Sequence, residues 1–259
     1  MKNTAEIMQW ADDYFSTNGY VMTGAPDIIE KTPWSSVTRF STNKGLVFLK
    51  QTPPALSLEP AVTKLLHDQL HASVPVVIAC NESLHCFLMK DAGNPLRETL
   101  MLDFDANLLC QAIKVYTNLQ YESSDHIKNF IELGVPDWRL NTLPLLYSQI
   151  IKAEKCLLDD GLTINDLDVL HNLQPRFENL CLQLQTYKIS ESLDHSDFHD
   201  NNILISSDKT KITIIDLGET VIAHPFLSLV NCLYNAMYRY SFNKSSRTYI
   251  DLRHDKFKH

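Results

Sequence analysis

Glycine is scarce in this sequence. Seven glycines serve 259 residues, and none lies between positions 25 and 44. That absence excludes a G-x-G-x-x-G phosphate loop from the N-terminal stretch. Paired cysteines are also missing. The six cysteines, at 80, 86, 110, 156, 181 and 232, form no C-x-x-C pair, and their mostly apolar neighbours predict buried free thiols in a reducing cytosol. No apolar run approaches the ~20 residues of a membrane helix, and Met1–Trp10 carries no apolar leader segment. Positive charge is in deficit, with 23 Lys and Arg against 31 Asp and Glu, a net charge of −8. Non-specific nucleic-acid binding needs the opposite balance. The expectation is a soluble, cytoplasmic protein with neither a membrane nor a nucleic-acid partner.

What is present suffices for a core. A hydrophobic content of 44% supports one large domain or two lobes. Residues 4–17 place Ile7, Trp10, Ala11 and Tyr14 at helical spacing behind a Thr cap. Ser36–Phe40 and Leu46–Lys50 read as strands around a Thr42–Gly45 turn. Residues 57–71 read as a helix capped by Ser57, with Pro60 in its first turn. Two more strands, Val76–Ala79 and Leu84–Met89, flank a turn at Asn81–Ser83. The breaker run Asp91–Pro95 marks a lobe boundary. Beyond it, segments near 104–121, 140–158 and 165–188 carry helical periodicity. Short strands at 203–206 and 211–215 follow, then a helix from Pro225 to about Tyr240 and a polar, basic tail. The expected architecture is α+β: residues 1–91 as a small β-rich lobe and 92–259 as a larger helical lobe.

The densest chemistry is His195-Ser196-Asp197-Phe198-His199-Asp200-Asn201-Asn202, followed by Ile214-Ile215-Asp216-Leu217-Gly218-Glu219. Phosphoryl transfer needs a carboxylate to orient the acceptor hydroxyl, oxygen ligands for Mg²⁺ and a cation on the phosphates. Asp197 and Asn202, five residues apart, can supply the first carboxylate and an amide ligand from one loop. Asp216 ends an apolar strand beside Gly218, where a second metal-binding carboxylate and a sharp turn are expected.

These residues resemble the aminoglycoside phosphotransferase and choline kinase family, which shares the protein-kinase fold. The family loop H-G-D-x-H-x-x-N matches at His195, Asp197, His199 and Asn202, with Ser196 in place of the usual glycine and Asp200-Asn201 in place of a Pro-Gly-like pair. The resemblance spans about 30 to 240 and implies a bilobal fold, ATP and Mg²⁺, and transfer of the γ-phosphate to a hydroxyl of a small aminoglycoside-, choline- or sugar-like acceptor. It implies Asp197 as the catalytic base and Asn202 and Asp216 as metal ligands. Lys50 would clamp the phosphates with Glu59 as its partner. Met89 and Asp91 fall in the hinge that meets adenine. Lacking glycines, the Thr32–Ser36 segment must serve as the phosphate loop, with its backbone N–H groups and the Ser35 and Ser36 hydroxyls facing the phosphates. His199, Asp200 and Glu219 are candidates for the acceptor side, and His195 for a supporting hydrogen bond. The family carries further helices after its last motif. About twenty residues follow Tyr240 here, which implies a reduced acceptor pocket or a missing part of the parent protein.

Two other readings compete. His195, Asp197, His199, Asp200 and His224 could gather zinc in a metal-dependent hydrolase, which would leave Lys50 and the β-rich lobe unexplained. A nucleotide-binding module without turnover, a pseudokinase, would fit the short C-terminus. A protein acceptor is disfavoured by the lack of an A-P-E-like segment after Asp216.

Overall fold

The computed structural model describes residues 4–240. The basic tail lies outside the described residues. The first helix, α1 (Thr4–Thr17), buries Ile7, Ala11 and Phe15 at four-residue spacing; Trp10 and Tyr14 flank that face half-buried. Thr4 sits inside the helix rather than in front of it.

Five antiparallel strands follow: β1 (Asp27–Lys31), β2 (Ser36–Thr42), β3 (Gly45–Gln51), β4 (Val77–Asn81) and β5 (Cys86–Lys90), in the spatial order β1-β2-β3-β5-β4. The β2–β3 hairpin closes where Thr42 pairs with Gly45, and Gly45 supplies the positive φ of 99° that the turn requires. One face of the sheet meets α1, with Phe15 edge-on to Phe40 at 5.0 Å. Burying an aromatic of this size stabilises the lobe by roughly 1.5–3 kcal/mol.

Helix α2 (Glu59–Asp68) starts two residues later than the sequence suggests. Ser57 does not cap it; its hydroxyl donates to the Pro54 carbonyl in a preceding 3-10 turn. Pro60 in the first turn fits the helix start. Although α2 lies between strands of the small sheet in sequence, its buried Val62 and Leu66 belong to the larger core with Leu96, Leu193, Phe198, Ile203 and Leu217. The helix therefore ties the two parts together.

After β5 the chain leaves the first sheet. β6 (Asn94–Pro95) pairs with β8 (Ile203–Ile205), which pairs with β9 (Ile212–Ile214). At this crossing Gly93 has φ 115°, and a Cβ there would stand 2.2 Å from the Ile205 carbonyl oxygen. The helical part comprises α3 (Leu96–Leu102), α4 (Ala106–Ser124), α5 (Ile127–Leu133), α6 (Leu143–Lys152), α7 (Glu154–Asp159), α8 (Ile164–Gln185) and α9 (Leu227–Arg239). Asp105 caps α4, and a Thr163–Asp166 capping box starts α8. The segment near 140–158 is two helices, broken at Ala153 with ψ 43°. A two-stranded ladder, β7 (Ser192–His195) with β10 (Thr220–Ala223), completes the set.

The six thiols are unpaired, as the sequence implies, but only Cys86, Cys181 and Cys232 are buried; Cys80, Cys110 and Cys156 are exposed. No helix among the described residues is long and apolar enough to cross a membrane.

Candidate active site

Lys50 is the penultimate residue of strand β3, and its neighbours Leu49 and Gln51 are buried with it. Its ammonium lies 2.8 Å from Glu59 Oε1 and 2.6 Å from Asp216 Oδ1. Lys50 and Glu59 are both buried, whereas 43% of the Asp216 side chain is exposed. Burial alone would lower the lysine, but the charges of Glu59 and Asp216 outweigh it and hold Lys50 above its usual value. Burial raises the Glu59 carboxyl to about 7, against the opposing pull of Lys50. The second Glu59 oxygen has no hydrogen-bond partner.

Asp216, two residues beyond β9, precedes a 3-10 turn in a left-handed conformation, φ 62° and ψ 53°. An aspartate tolerates this region at a cost of about 1–2 kcal/mol. The sequence assigns the sharp turn to Gly218, but Gly218 is not among the glycines with positive φ. Its lack of a side chain serves packing instead: a Cβ would meet Leu56 Cβ at 3.3 Å and Glu59 Oε2 at 3.5 Å.

The 195–202 loop is brought to the same place by backbone bonds. The Ile215 amide donates to the Asn202 carbonyl at 3.0 Å, and His195 Nε2 donates to the Ile215 carbonyl at 2.9 Å. Burial holds His195 below its usual value. Phe198, fully buried and stacked on Tyr116 at 4.0 Å, anchors the loop from within. The Asp197 carboxylate is held on both oxygens. Oδ2 accepts from Asn202 Nδ2 at 3.1 Å and lies 3.3 Å from His199 Nε2, while Oδ1 accepts from Asn231 Nδ2 at 3.1 Å. The His199 bond is the main reason Asp197 titrates below the usual carboxylate range. His199 Nδ1 accepts from the Asn201 amide, so Nε2 is the donor to Asp197.

Other candidates are placed differently from expectation. Asp200 does not face an acceptor. It is buried, accepting from Arg97 Nε at 2.9 Å and Nη2 at 2.7 Å, with the Tyr240 hydroxyl on its other oxygen. The 32–36 turn does not present free amides. The Thr32 hydroxyl accepts from the amides of Trp34 and Ser35, and the Ser35 hydroxyl donates to Glu30 at 2.7 Å. Ser36 begins β2, opposite Gln51. Met89 pairs with Phe48 across β5 and β3. Asp91 Oδ1 accepts from the Gly93 amide, so its carboxylate shapes the crossing between sheets. The Ser196 hydroxyl donates to the Glu219 carbonyl, which sets Glu219 against the 195–202 loop; burial raises its carboxyl, and the charges of Asp197 and Asp216 raise it further. Among the described residues, no three His, Cys, Asp or Glu side chains gather to hold a metal. The zinc-hydrolase cluster does not assemble, since Asp200 is committed to Arg97 and Tyr240.

Residues 34–253 match the sequence model of a family described as APH, the phosphotransferase enzyme family. The chain belongs to this phosphotransferase family. No curated protein sequence matches it. Among solved structures, it resembles the GDP and kanamycin complex of APH(2")-IIia, with a TM-score of 0.60 and 17% identity over 95% of this chain and 85% of that one. It also resembles aminoglycoside phosphotransferase APH(3'')-Id from Streptomyces rimosus, with a TM-score of 0.58 and 17% identity over 98% and 90% of the two chains. Against an ethanolamine kinase of Plasmodium vivax the TM-score is 0.59, with 14% identity over 82% and 61%. At these identities the likeness is one of fold. The phosphotransferase has the α+β, protein-kinase-like fold, with an antiparallel sheet first and a helical part after it.

Sequence reasoning missed what holds this phosphotransferase's loop in place: Asn231 on Asp197, Arg97 and Tyr240 on Asp200, and Ser228 on Asp194. The pair Asn231 and Asn235, one helical turn apart on α9, is a legible signal for the first.

Proposed function

We propose that this phosphotransferase moves the γ-phosphate of Mg²⁺-bound ATP to a hydroxyl of a small molecule. One observation carries the reading. Lys50 from the first sheet meets Asp216, 166 residues away in sequence, at 2.6 Å, next to the loop that presents Asp197 and Asn202. Residues 1–91 would then form the nucleotide-binding lobe, apart from α2, and residues from 92 onward the lobe carrying the catalytic and metal-binding loops.

Hard oxygen donors suit Mg²⁺, which takes one or two protein ligands and completes its shell with phosphates and water. The half-exposed Asp216 carboxylate and the Asn202 carbonyl oxygen, left over when its nitrogen binds Asp197, fit that demand. The ion, when bound, neutralises charge on the triphosphate. Lys50 would keep Glu59 and exchange Asp216 for the α- and β-phosphates. Asp197, ionised and oriented by three donors, would align the acceptor hydroxyl and take its proton late, as a loose phosphoryl transition state requires. With the Thr32, Trp34 and Ser35 amides satisfied within the turn, the triphosphate's charge would fall mainly to Lys50 and to the metal that Asp216 and Asn202 would hold. Met89 and Asp91 would border the base.

Glu219 beside Asp197 favours a cationic acceptor. The names of the similar structures, an aminoglycoside phosphotransferase with kanamycin and an ethanolamine kinase, point to the same class of hydroxylated amine. The unpaired thiols fit a reducing cytosol.

The test is release of ADP or GDP from ATP or GTP in the presence of kanamycin, ethanolamine, choline and simple sugars. The wild type should turn over at least one, and Asp197→Ala should lower that rate by about 10²–10⁴-fold. Nucleotide binding without turnover on any acceptor would replace this reading with the pseudokinase.

A further inference from the structure

Helix α9 and the residue that follows it reach Asp194, Asp197 and Asp200, three aspartates spaced three apart in the sequence at the end of β7 and in the loop after it. Ser228 donates from its hydroxyl at 2.7 Å and its amide at 3.2 Å to Asp194 Oδ2. Asn231 donates to Asp197 Oδ1 at 3.1 Å. Tyr240, just past the helix end, donates to Asp200. The two outer contacts are structural anchors. The Ser228 hydroxyl accepts from Tyr116, because it spends its own proton on Asp194, and Asp200 is closed off by Arg97. The middle contact reaches the carboxylate that carries the proposed chemistry.

An asparagine amide can face a carboxylate with either end, and only the nitrogen end attracts it. Asn235, one turn further along α9, settles the choice. Its Nδ2 lies 2.8 Å from Asn231 Oδ1 and 3.0 Å from the Asn231 backbone carbonyl. Since Nδ2 can only donate, Asn231 Oδ1 must accept, and the Asn231 Nδ2 donor is turned to Asp197. The same nitrogen lies 3.4 Å from the Ser196 carbonyl, so one amide spans the loop backbone and the carboxylate.

We propose that Asn231 and Asn235 form a two-residue relay on α9 that orients the Asp197 carboxylate for phosphoryl transfer. Asn231 and Asn235 are positioning residues. With Asn202 and His199 fixing Oδ2 and Asn231 fixing Oδ1, the carboxylate plane is set from three directions, and the acceptor hydroxyl finds one lone-pair direction rather than a rotating group. This rests on the kinase reading for its catalytic meaning. The relay geometry itself does not.

The test uses the full chain with MgATP and kanamycin, ethanolamine or water as phosphoryl acceptor. Asn231→Leu removes the donor at similar volume. It should lower kcat by roughly 10–100-fold, the range for a hydrogen bond to a charged group, while the KM for ATP stays within about twofold. Asn235→Asp puts an acceptor against Asn231 Oδ1 and should turn the amide around, lowering kcat similarly. Asn235→Gln keeps a donor and should restore most of the rate. A second readout needs no turnover: the side-chain amide proton signals of Asn231 should move in both Asp197→Ala and Asn235→Leu. A wild type that turns over none of these, nor choline or simple sugars with ATP or GTP, sinks the transferase reading, and the catalytic role of the relay with it. An active wild type with unchanged kcat in Asn231→Leu, or Asn231 signals indifferent to Asp197→Ala, sinks the relay alone.

Discussion

At the scale of single residues, Asp216 carries two demands that conflict. Its position needs a left-handed backbone, φ 62°, which glycine or asparagine would hold with less strain, and its proposed work needs a carboxylate. Asp216→Asn should therefore leave the unfolding free energy within about 1 kcal/mol of wild type yet lower turnover by about 10²-fold or more. Urea unfolding and ADP release measure the two halves; loss of both together would mean the side chain is structural. Gly93 is the opposite case. A methyl group there would stand 2.2 Å from a backbone carbonyl at φ 115°. Gly93→Ala should cost about 2–4 kcal/mol in urea unfolding; an unchanged midpoint would show that the crossing between the sheets can move aside. Residue identities in the 195–202 loop were legible because each type has one chemistry at that spacing. Their partners were not. Nothing in the order of residues says that Asp200 will meet Arg97, 103 positions earlier, rather than solvent.

At the scale of elements, helices with a clean apolar face, α1 and α4, were readable from periodicity, and so was the β2–β3 hairpin. The ladder of β7 and β10 was not. All four residues of β7, Ser-Leu-Asp-His, are buried, so the strand has no alternating pattern to read. Two of its backbone amides find distant acceptors: the His195 amide donates to the Tyr116 hydroxyl and the Leu193 amide to the Ser123 hydroxyl. At the other extreme β1 is exposed throughout and equally patternless. The joint between β7 and α9 has a pH signature. Burial raises the Asp194 carboxyl from 3.8 to about 6, against the opposing bonds from Ser228. A carboxyl raised on folding favours the folded state most below its unfolded pKa, and that contribution is lost as pH rises through its folded value. Between about pH 4 and pH 6 the wild type should lose roughly 3 kcal/mol from this group. Asp194→Asn should flatten that window; an identical slope in the variant would remove Asp194 from the account.

At the scale of the whole molecule, the Lys50, Glu59 and Asp216 side chains and helix α2 join the first sheet to the helical part. Helix α2 carries Glu59 on its first turn while its apolar face lies in the larger core, so the Lys50–Glu59 pair couples the small sheet to the Leu217–Glu219 turn. Sequence reasoning expected a lobe boundary at the breakers 91–95 and could not see that the apolar face of α2, before that point in the chain, lies in the larger core, because packing partners are not written in periodicity. A nucleotide that contacts both Lys50 on the first sheet and Asp216 beyond β9 should stabilise both parts at once. At a ligand concentration 100 times its Kd, MgATP should add about 2.7 kcal/mol to the unfolding free energy. Asp216→Asn should remove most of this gain, and equal stabilisation of that variant would place the nucleotide elsewhere.

The convergence of Lys50, Asp197, Asn202 and Asp216 on one triphosphate is tested most directly by a crystal structure with Mg²⁺ and a non-hydrolysable ATP analogue. The account predicts the Asn202 carbonyl oxygen and an Asp216 carboxylate oxygen about 2.1 Å from the metal, with Lys50 hydrogen-bonded to the α- and β-phosphates. A triphosphate bound away from Lys50, or a metal held without Asp216, would contradict it.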